Sequence, residues 1–388
     1  MIKNTTLWIF IATLCLVCIG TSMVYSSSAA MAAYQKRLFL SRKAPEVLKE
    51  TTLYHDASFL KKQIMWVLIS LSVLVFFYHY DYISLGRKSY WILGLSIFLL
   101  IMVLLFGNTV NGAKRWLRIG PFTLQPSEFA KLALVIFMAR FLSEHKDKVK
   151  SFARGFLPVL GILSVTLILT ILEPDFGTTV IIGMIVFIIW FIAGLRLLHL
   201  SSLFLASIPC AIVVILLNPY RVKRILGFID PWKHASGSAY QVIQSQIAVG
   251  SGGLTGRGLG EGLQKYHFLA ESHTDFIFAI VGEELGFIGA TLVLLLFVAL
   301  LWLGVIVALR VSDYYTGLLA SGIITMITLS AVVNFCVVLG LLPPKGLALP
   351  FISYGGSSLL TNMAGIGILL NISKVTEESL GERLRRKF

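Results

Sequence analysis

What most constrains this chain is a pattern that returns along its whole length: apolar stretches of near-spanning size, separated by short polar connections. About 20 helical residues cross a hydrocarbon core of about 30 Å. Lipid offers the backbone no hydrogen-bond partners, so such segments are α-helices that satisfy themselves. Ten spans are read at 7–25, 64–80, 90–106, 129–142, 156–172, 180–193, 200–217, 285–309, 316–342 and 359–372. The expected fold is therefore all-α: a polytopic membrane bundle of about ten transmembrane helices, one domain over 1–388. A large ordered outer loop, 218–274, lies between helices 7 and 8. Only 13% of residues are charged, against roughly a quarter in soluble domains, which leaves no soluble domain of any size. The first span has an apolar part longer than a signal-peptide core, so it is read as a retained anchor. Cys15, Cys18, Cys210 and Cys336 all fall in apolar helices and imply neither a disulfide framework nor a zinc site.

Ten spans put both termini on one side. We place that side in the cytoplasm, because the basic tail (Lys374, Arg383, Arg385, Arg386, Lys387) and the connection 143–154 read as cytoplasmic anchors. The positive-inside rule does not decide the matter alone. The outer connections then carry at least as many cations, among them Lys114, Arg115, Arg118, Arg221, Lys223, Arg224, Lys265 and Lys345. Cations held outside against the rule point to an anionic partner such as a lipid diphosphate. Ordinary anionic lipid at the headgroup boundary is the plainer alternative, and it suffices for Lys61 and Lys62. Membrane residence accounts for the excess of 33 Lys and Arg over 19 Asp and Glu, so no nucleic acid is implied.

The polar residues concentrate in the same connections. Loop 218–274 is too long for mere linkage; it carries Tyr220, Trp232, Tyr240, Tyr266 and Phe268 and an amphipathic run at 240–249, expected to lie on the membrane surface. Its glycines at 250–262 lack the strand, helix and Gly-Lys-Ser/Thr ending of a phosphate loop and read as tight turns. Asp275 follows, then Glu283 and Glu284. A continuous helix over 275–309 would be about 50 Å long, with Glu283 about 12 Å deeper than Asp275 and about 80° round from it. Acidic groups at membrane depth default to function or to a named partner; for the two glutamates the plain alternative is ion pairs that hold helices together. Three further groups converge in type. Lys114-Arg115-Trp116 sits in a loop read as continuing helically through Gln125 to Glu128 and Lys131, which are three apart and can pair on one face. Glu173-Pro174-Asp175 breaks the chain between two spans, and Pro343-Pro344-Lys345-Gly346 runs on to Ser358. Broken backbone at this depth is tolerated where it is buried or lines water, so a polar cavity opening outward is expected.

These residues carry a resemblance. With Lys114-Arg115-Trp116, Thr274-Asp275-Phe276-Ile277-Phe278-Ala279, Gly282-Glu283-Glu284-Leu285-Gly286 and Pro344-Lys345-Gly346-Leu347 in order, the chain resembles the SEDS membrane proteins of shape, elongation, division and sporulation. It is more similar to the division-type than to the elongation-type members. The resemblance implies a peptidoglycan glycosyltransferase that polymerises lipid II on the outer face of a bacterial plasma membrane, at the division septum. It implies as partners lipid II, the undecaprenyl-diphosphate-linked glycan, a class B penicillin-binding protein, other division proteins and membrane lipids. The family's essential aspartate maps to Asp275, and polar groups that matter in the family map to Lys114, Arg115, Trp116, Lys131, Asp175 and Glu283. The first outer loop, 29–62, is longer and more basic than is usual in the family.

Glycan extension from a lipid diphosphate needs one base, because fixed cations can neutralise a leaving group that is already a stable anion. Asp275 is the candidate base toward the acceptor's sugar 4-hydroxyl, with inversion at the anomeric carbon; its plain alternative is a helix-capping carboxylate. Lys114, Arg115, Lys131, Arg221, Arg224 and Lys345 are candidates to hold diphosphate, with Trp116, Glu128, Asp175 and Glu283 as further substrate-binding candidates. The residues identify no cofactor; a divalent cation bridging the diphosphates is compatible, but the carboxylates reveal no preformed site. The competing readings are a flippase for a lipid-linked precursor, which would need alternating access from repeats that are not visible, an elongation-type polymerase and a non-catalytic scaffold.

Overall fold

A computed structural model describes residues 4–40, 58–110, 113–120, 122–266, 269 and 272–385. The helices, in chain order, are α1 (Thr5–Leu40), α2 (Ser58–His79), α3 (Tyr82–Arg87), α4 (Ser89–Phe106), α5 (Pro126–Glu144), α6 (Leu157–Leu172), α7 (Phe176–Ile192), α8 (Leu197–Leu216), α9 (Pro219–Ile229), α10 (Tyr240–Ser251), α11 (Ile277–Arg310), α12 (Tyr314–Val338) and α13 (Gly356–Arg385). Among the described residues, 8 helices are long and apolar enough to cross a membrane by length and composition. α7 is a shorter apolar helix, and α5, with Glu128, Lys131, Arg140 and Glu144, completes the ten segments read as spans. α5 shows why composition alone under-rates it. Its side chains from Pro126 to Leu142 are nearly all buried, and its inner charges are paired, Lys131 Nζ lying 2.8 Å from Glu128 Oε1. It forms the core together with α12 and α13, through residues such as Val135, Ile136, Ile323, Ile327, Met363 and Ile366. α8 is the opposite case, burying only Leu200.

Two features depart from the expected all-helical path. The segment after α4 is not a loop running into a helix but an antiparallel meander of β1 (Asn108–Val110), β2 (Ala113–Ile119) and β3 (Phe122–Leu124). Val110 pairs with Ala113 and Ile119 with Phe122, so each connection is two residues long. Those pairs are Asn111-Gly112 and Gly120-Pro121, dipeptides suited to tight turns. Helix resumes at Pro126, where a missing N–H costs nothing. The second departure is α11, which is not straight. Gly286 has φ 66° and ψ −165°, a conformation open to glycine and strained for other residues. The break is filled by the glycine-rich turn from α10: Phe287 and Ile288 donate their amides to Gly253 and Leu254 oxygens at 2.9 and 3.1 Å, and Arg257 and Gly258 amides donate to Glu283 and Glu284 oxygens at 3.0 and 3.1 Å. The straight helix expected over 275–309 is thus interrupted at Gly286, and because α11 begins only at Ile277 the rise and rotation expected between Asp275 and Glu283 do not apply either.

Loop 218–274 is ordered over its described residues, as its aromatics suggest. α9 is strongly amphipathic, and the run expected at 240–249 forms α10, with Val242, Ile243, Ser245 and Ala248 buried. α10 is bound to protein at its inner face: Ser245 Oγ donates to Val338 O at 2.8 Å and Gln246 Nε2 to Leu339 O at 3.2 Å. The glycines at 253, 256, 258 and 260 all have positive φ, in accord with the tight-turn reading. The four cysteines are free. α1 continues to Leu40, well past the span read at 7–25, while the rest of the basic first loop up to residue 57 lies outside the described residues.

Candidate active site

Each site element is an interruption between spans, held by side chains of the spans it connects. Arg115 is the extra residue of a β-bulge: Thr109 pairs with Lys114 and Asn108 with Trp116. A bulge re-aims its side chain, and the guanidinium reaches the end of α6, with Nε donating to Glu173 O at 3.2 Å and Nη2 to Pro174 O. Asp175 is the N-cap of α7. Its carboxylate accepts from Thr178 N at 3.1 Å, Thr178 Oγ1 at 2.8 Å and Gln125 Nε2 at 3.2 Å, which ties the turn to the start of α5.

Phe176, the next residue, is a platform for two cations. Arg221 Cζ lies 5.5 Å and Lys345 Nζ 5.2 Å from its ring centroid, within the range of cation–π attraction. Arg221 is carried on α9, and Arg224 one turn later donates to Pro344 O at 3.1 Å, so α9 grips the Pro-Pro turn that carries Lys345. Burial lowers the Arg221 pKa, with the Arg115 charge adding to the effect. Burial likewise lowers Lys345, opposed by the Asp175 carboxylate. Three cations, Arg115, Arg221 and Lys345, thus gather around the 173–175 turn and the Phe176 ring, and Arg224 joins them through the Pro344 turn.

Asp275 lies in the turn before α11 and touches the same loop. A Cβ built on Gly346 would sit 2.8 Å from Asp275 Oδ2, so the absence of a side chain at 346 makes room for the carboxylate beside Lys345. The turn itself is fixed through its backbone. Asn334 Nδ2 donates to both Asp275 O and Leu347 O, at 2.9 and 2.7 Å. Ser353 Oγ donates to Thr274 O at 2.6 Å and Tyr354 N to His273 O at 2.9 Å. The N-cap position of α11 is Phe276, which makes no side-chain capping bond. Among the described residues no group of three or more His, Cys, Asp and Glu could hold a metal ion.

Not every candidate joins this cluster. Glu283 is fully buried, and its carboxylate accepts the amides of Leu263 at 2.7 Å and Gln264 at 3.2 Å. It ties the 218–274 loop to α11 through these amides, a structural role beside its reading as a substrate-binding residue. Glu284 pairs with Lys265 at 2.6 Å, both fully buried, and also accepts from Ser26 Oγ at 2.7 Å and Gly260 N at 3.0 Å. Here the structure holds an ion pair between α11 and a turn of the 218–274 loop rather than between two helices, and Lys265 is occupied by it. Glu128 and Lys131 are taken up with each other inside α5. Lys114 is exposed and Trp116 half-buried on β2. Sequence reasoning missed Phe176, Gln125 and Gly346; a glycine following Lys345 was in view, but its closeness to Asp275 depends on packing.

Comparison with known proteins decides the family. The model for the cell cycle proteins FtsW, RodA and SpoVE matches residues 5–378. The chain belongs to this family. A sequence relative is Stage V sporulation protein E of Bacillus subtilis (strain 168), 42% identical over 372 residues that cover 95% of this chain and 96% of the relative. Another is the probable peptidoglycan glycosyltransferase FtsW of Geobacter sulfurreducens (strain DL-1 / KN400), 40% identical over 375 residues, 96% of each chain. Among solved structures, a chain from a peptidoglycan synthase complex that coordinates polymerization and crosslinking is similar with TM-score 0.69 and 30% identity, covering 91% of this chain and 97% of that one. The rod shape determining protein RodA of Thermus thermophilus has TM-score 0.66 and 27% identity, covering 94% and 95%. The protein is thus a multi-pass membrane protein of the FtsW, RodA and SpoVE family.

Proposed function

We propose that this protein is a peptidoglycan glycosyltransferase that polymerises lipid II at the outer face of the plasma membrane, with both termini in the cytoplasm. The observation that carries the reading is the Asp275 carboxylate seated against Gly346, next to Lys345 and the cations that share the Phe176 ring and the 173–175 turn. Family membership with relatives named as peptidoglycan glycosyltransferases supplies the reaction class.

In the step so defined, Asp275 takes the proton of the acceptor's sugar 4-hydroxyl while that oxygen bonds to the anomeric carbon of the growing chain. The bond from that carbon to the diphosphate oxygen breaks, and its electron pair leaves with undecaprenyl diphosphate. Arg115, Arg221, Arg224 and Lys345 offset the charge that collects there. Fixed cations in a poorly hydrated site stabilise developing negative charge without having to reorganise. A carboxylate base at this position would add a typical ~10²–10⁴-fold. The cognate transpeptidase is a class B penicillin-binding protein. The FtsW relatives at 40% identity favour synthesis at the septum over elongation.

The test is lipid II polymerisation by purified protein with its penicillin-binding partner. Asp275→Asn should stay folded and capture lipid II yet yield no glycan strand. Polymer at a near wild-type rate from that variant would remove the base assignment.

A further inference from the structure

Glu173 lies within the site and has no role in the step above. It is the C-cap just beyond α6 and is fully buried, and neither carboxylate oxygen has a hydrogen-bond partner among the described residues. Its backbone oxygen, by contrast, accepts from Arg115. The cation thus rests on the carbonyls of Glu173 and Pro174, neutral acceptors at the negative end of a helix, while the neighbouring carboxyl points into protein. An unpaired buried carboxylate would cost several kcal/mol, and such groups are held neutral instead. The neutral form is therefore the one this pocket accepts.

The distinction bears on substrate because of the company Glu173 keeps. Asp175 in its own turn and Arg115 from β2 are the charges acting on it. Arg221 from α9 acts on Arg115, and Lys345 from the α12–α13 connection faces Asp175. Asp175 already places one negative charge among these cations. A second carboxylate beside Arg115 would compensate the positive charge that a diphosphate needs.

Building on the proposed function, we infer that Glu173 is a positioning residue that works as a neutral acid: its proton leaves the Arg115 charge uncompensated for the lipid diphosphate, and losing that proton weakens capture. Burial and the Asp175 charge push the Glu173 pKa up to about 8, against the pull of Arg115, so the switch falls at mildly alkaline pH. A carboxylic acid with that midpoint loses its neutral form roughly tenfold between pH 7 and pH 9.

The experiment measures KM and kcat for lipid II from pH 7 to pH 9 in the purified protein with its penicillin-binding partner, for wild type and Glu173→Gln. The glutamine side chain stays neutral throughout. The wild-type KM should rise roughly tenfold across this range through Glu173, and that component should vanish in Glu173→Gln. Lys345, which burial also makes easier to deprotonate, contributes equally to both proteins and cancels in the comparison. Parallel KM profiles would overturn the inference while leaving the polymerase reading intact; absence of polymer from the wild type would instead overturn the polymerase reading. A second measurement needs no variant: the infrared difference spectrum of wild type between pH 7 and pH 9 should show loss of a protonated carboxyl band. A spectrum without that loss would equally overturn the inference.

Discussion

Gly346→Ala isolates the geometry of the base without altering its chemistry. The backbone at Gly346 is outside the positive-φ glycines, so alanine fits the conformation and trims unfolded-state freedom by about 0.4–1 kcal/mol. Stability should hold or rise slightly. The new methyl, however, would stand 2.8 Å from Asp275 Oδ2 where ordinary contact begins at 3.4 Å, and that oxygen, at the far end of a side chain, is the group that yields. The carboxylate must retreat by about 0.6 Å. Misplacement of a reacting group by about 1 Å can cost about 10²-fold, so kcat should fall by roughly tenfold or more, yet less than on removing the base, ~10²–10⁴-fold. KM should change less, because the cations around Phe176 do not depend on the Asp275 rotamer. The assay is glycan-strand formation from lipid II at saturating substrate, with thermal unfolding in detergent run alongside. A folded Gly346→Ala protein with wild-type kcat would refute the idea that the carboxylate works from its position against residue 346.

Two further substitutions test the surroundings. Arg115→Ala removes charge-assisted contacts worth about 1.5–3 kcal/mol each, so turnover at limiting lipid II should fall about 10- to 100-fold with a smaller change at saturation; equal turnover at limiting substrate would take Arg115 out of the diphosphate site. Lys265→Met leaves Glu284 buried without its cation, a loss of about 3–5 kcal/mol, visible as a lower unfolding temperature in detergent, and an unchanged transition would show that the Ser26 and Gly260 bonds hold the loop by themselves.

The spans were legible in the sequence because lipid imposes one solution on a long apolar segment, and each of the ten read from composition corresponds to a helix. α10 was legible for a related reason, since its apolar residues recur at helical spacing; α9 was not, although Asn218-Pro219 marks its start. The β-meander was not legible: Lys114, Arg115 and Arg118 mask the alternation of a strand. The break at Gly286 was hidden too: glycine is frequent in membrane helices, and what makes this one a break is the turn from α10 that inserts there. The same packing decides the glutamates. As helical neighbours they point about 100° apart, but that does not disclose that Glu283 meets backbone amides and Glu284 a lysine. Asp275 and Lys345 could each be singled out, while the packing of Asp275 against Gly346, beside Asn334 that bonds both segments of chain at once, could not.

With the proposed orientation, the arrangement also accounts for the cations that strain the positive-inside rule. Counting the ten helices read as spans from α1, the meander follows the third, the 173–175 turn the fifth, the α9–α10 segment the seventh and the 339–355 loop the ninth. Each follows an odd-numbered helix, so all four emerge at the same end of the bundle, and the contacts among Arg115, Glu173, Arg221, Arg224 and Lys345 show that they meet there. Charges within a span are expensive and must be paired, as Glu128 and Lys131 are. Charges on the irregular segments between spans escape that demand, because carbonyls and aromatic faces hold them while leaving their net charge in place. Arg115 on two carbonyls and Lys345 on the Phe176 ring are held in this way. A neutral Glu173 belongs to the same logic: beside Arg115 the fold buries its carboxyl with no hydrogen-bond partner among the described residues and keeps the positive end of the bundle open to an anion.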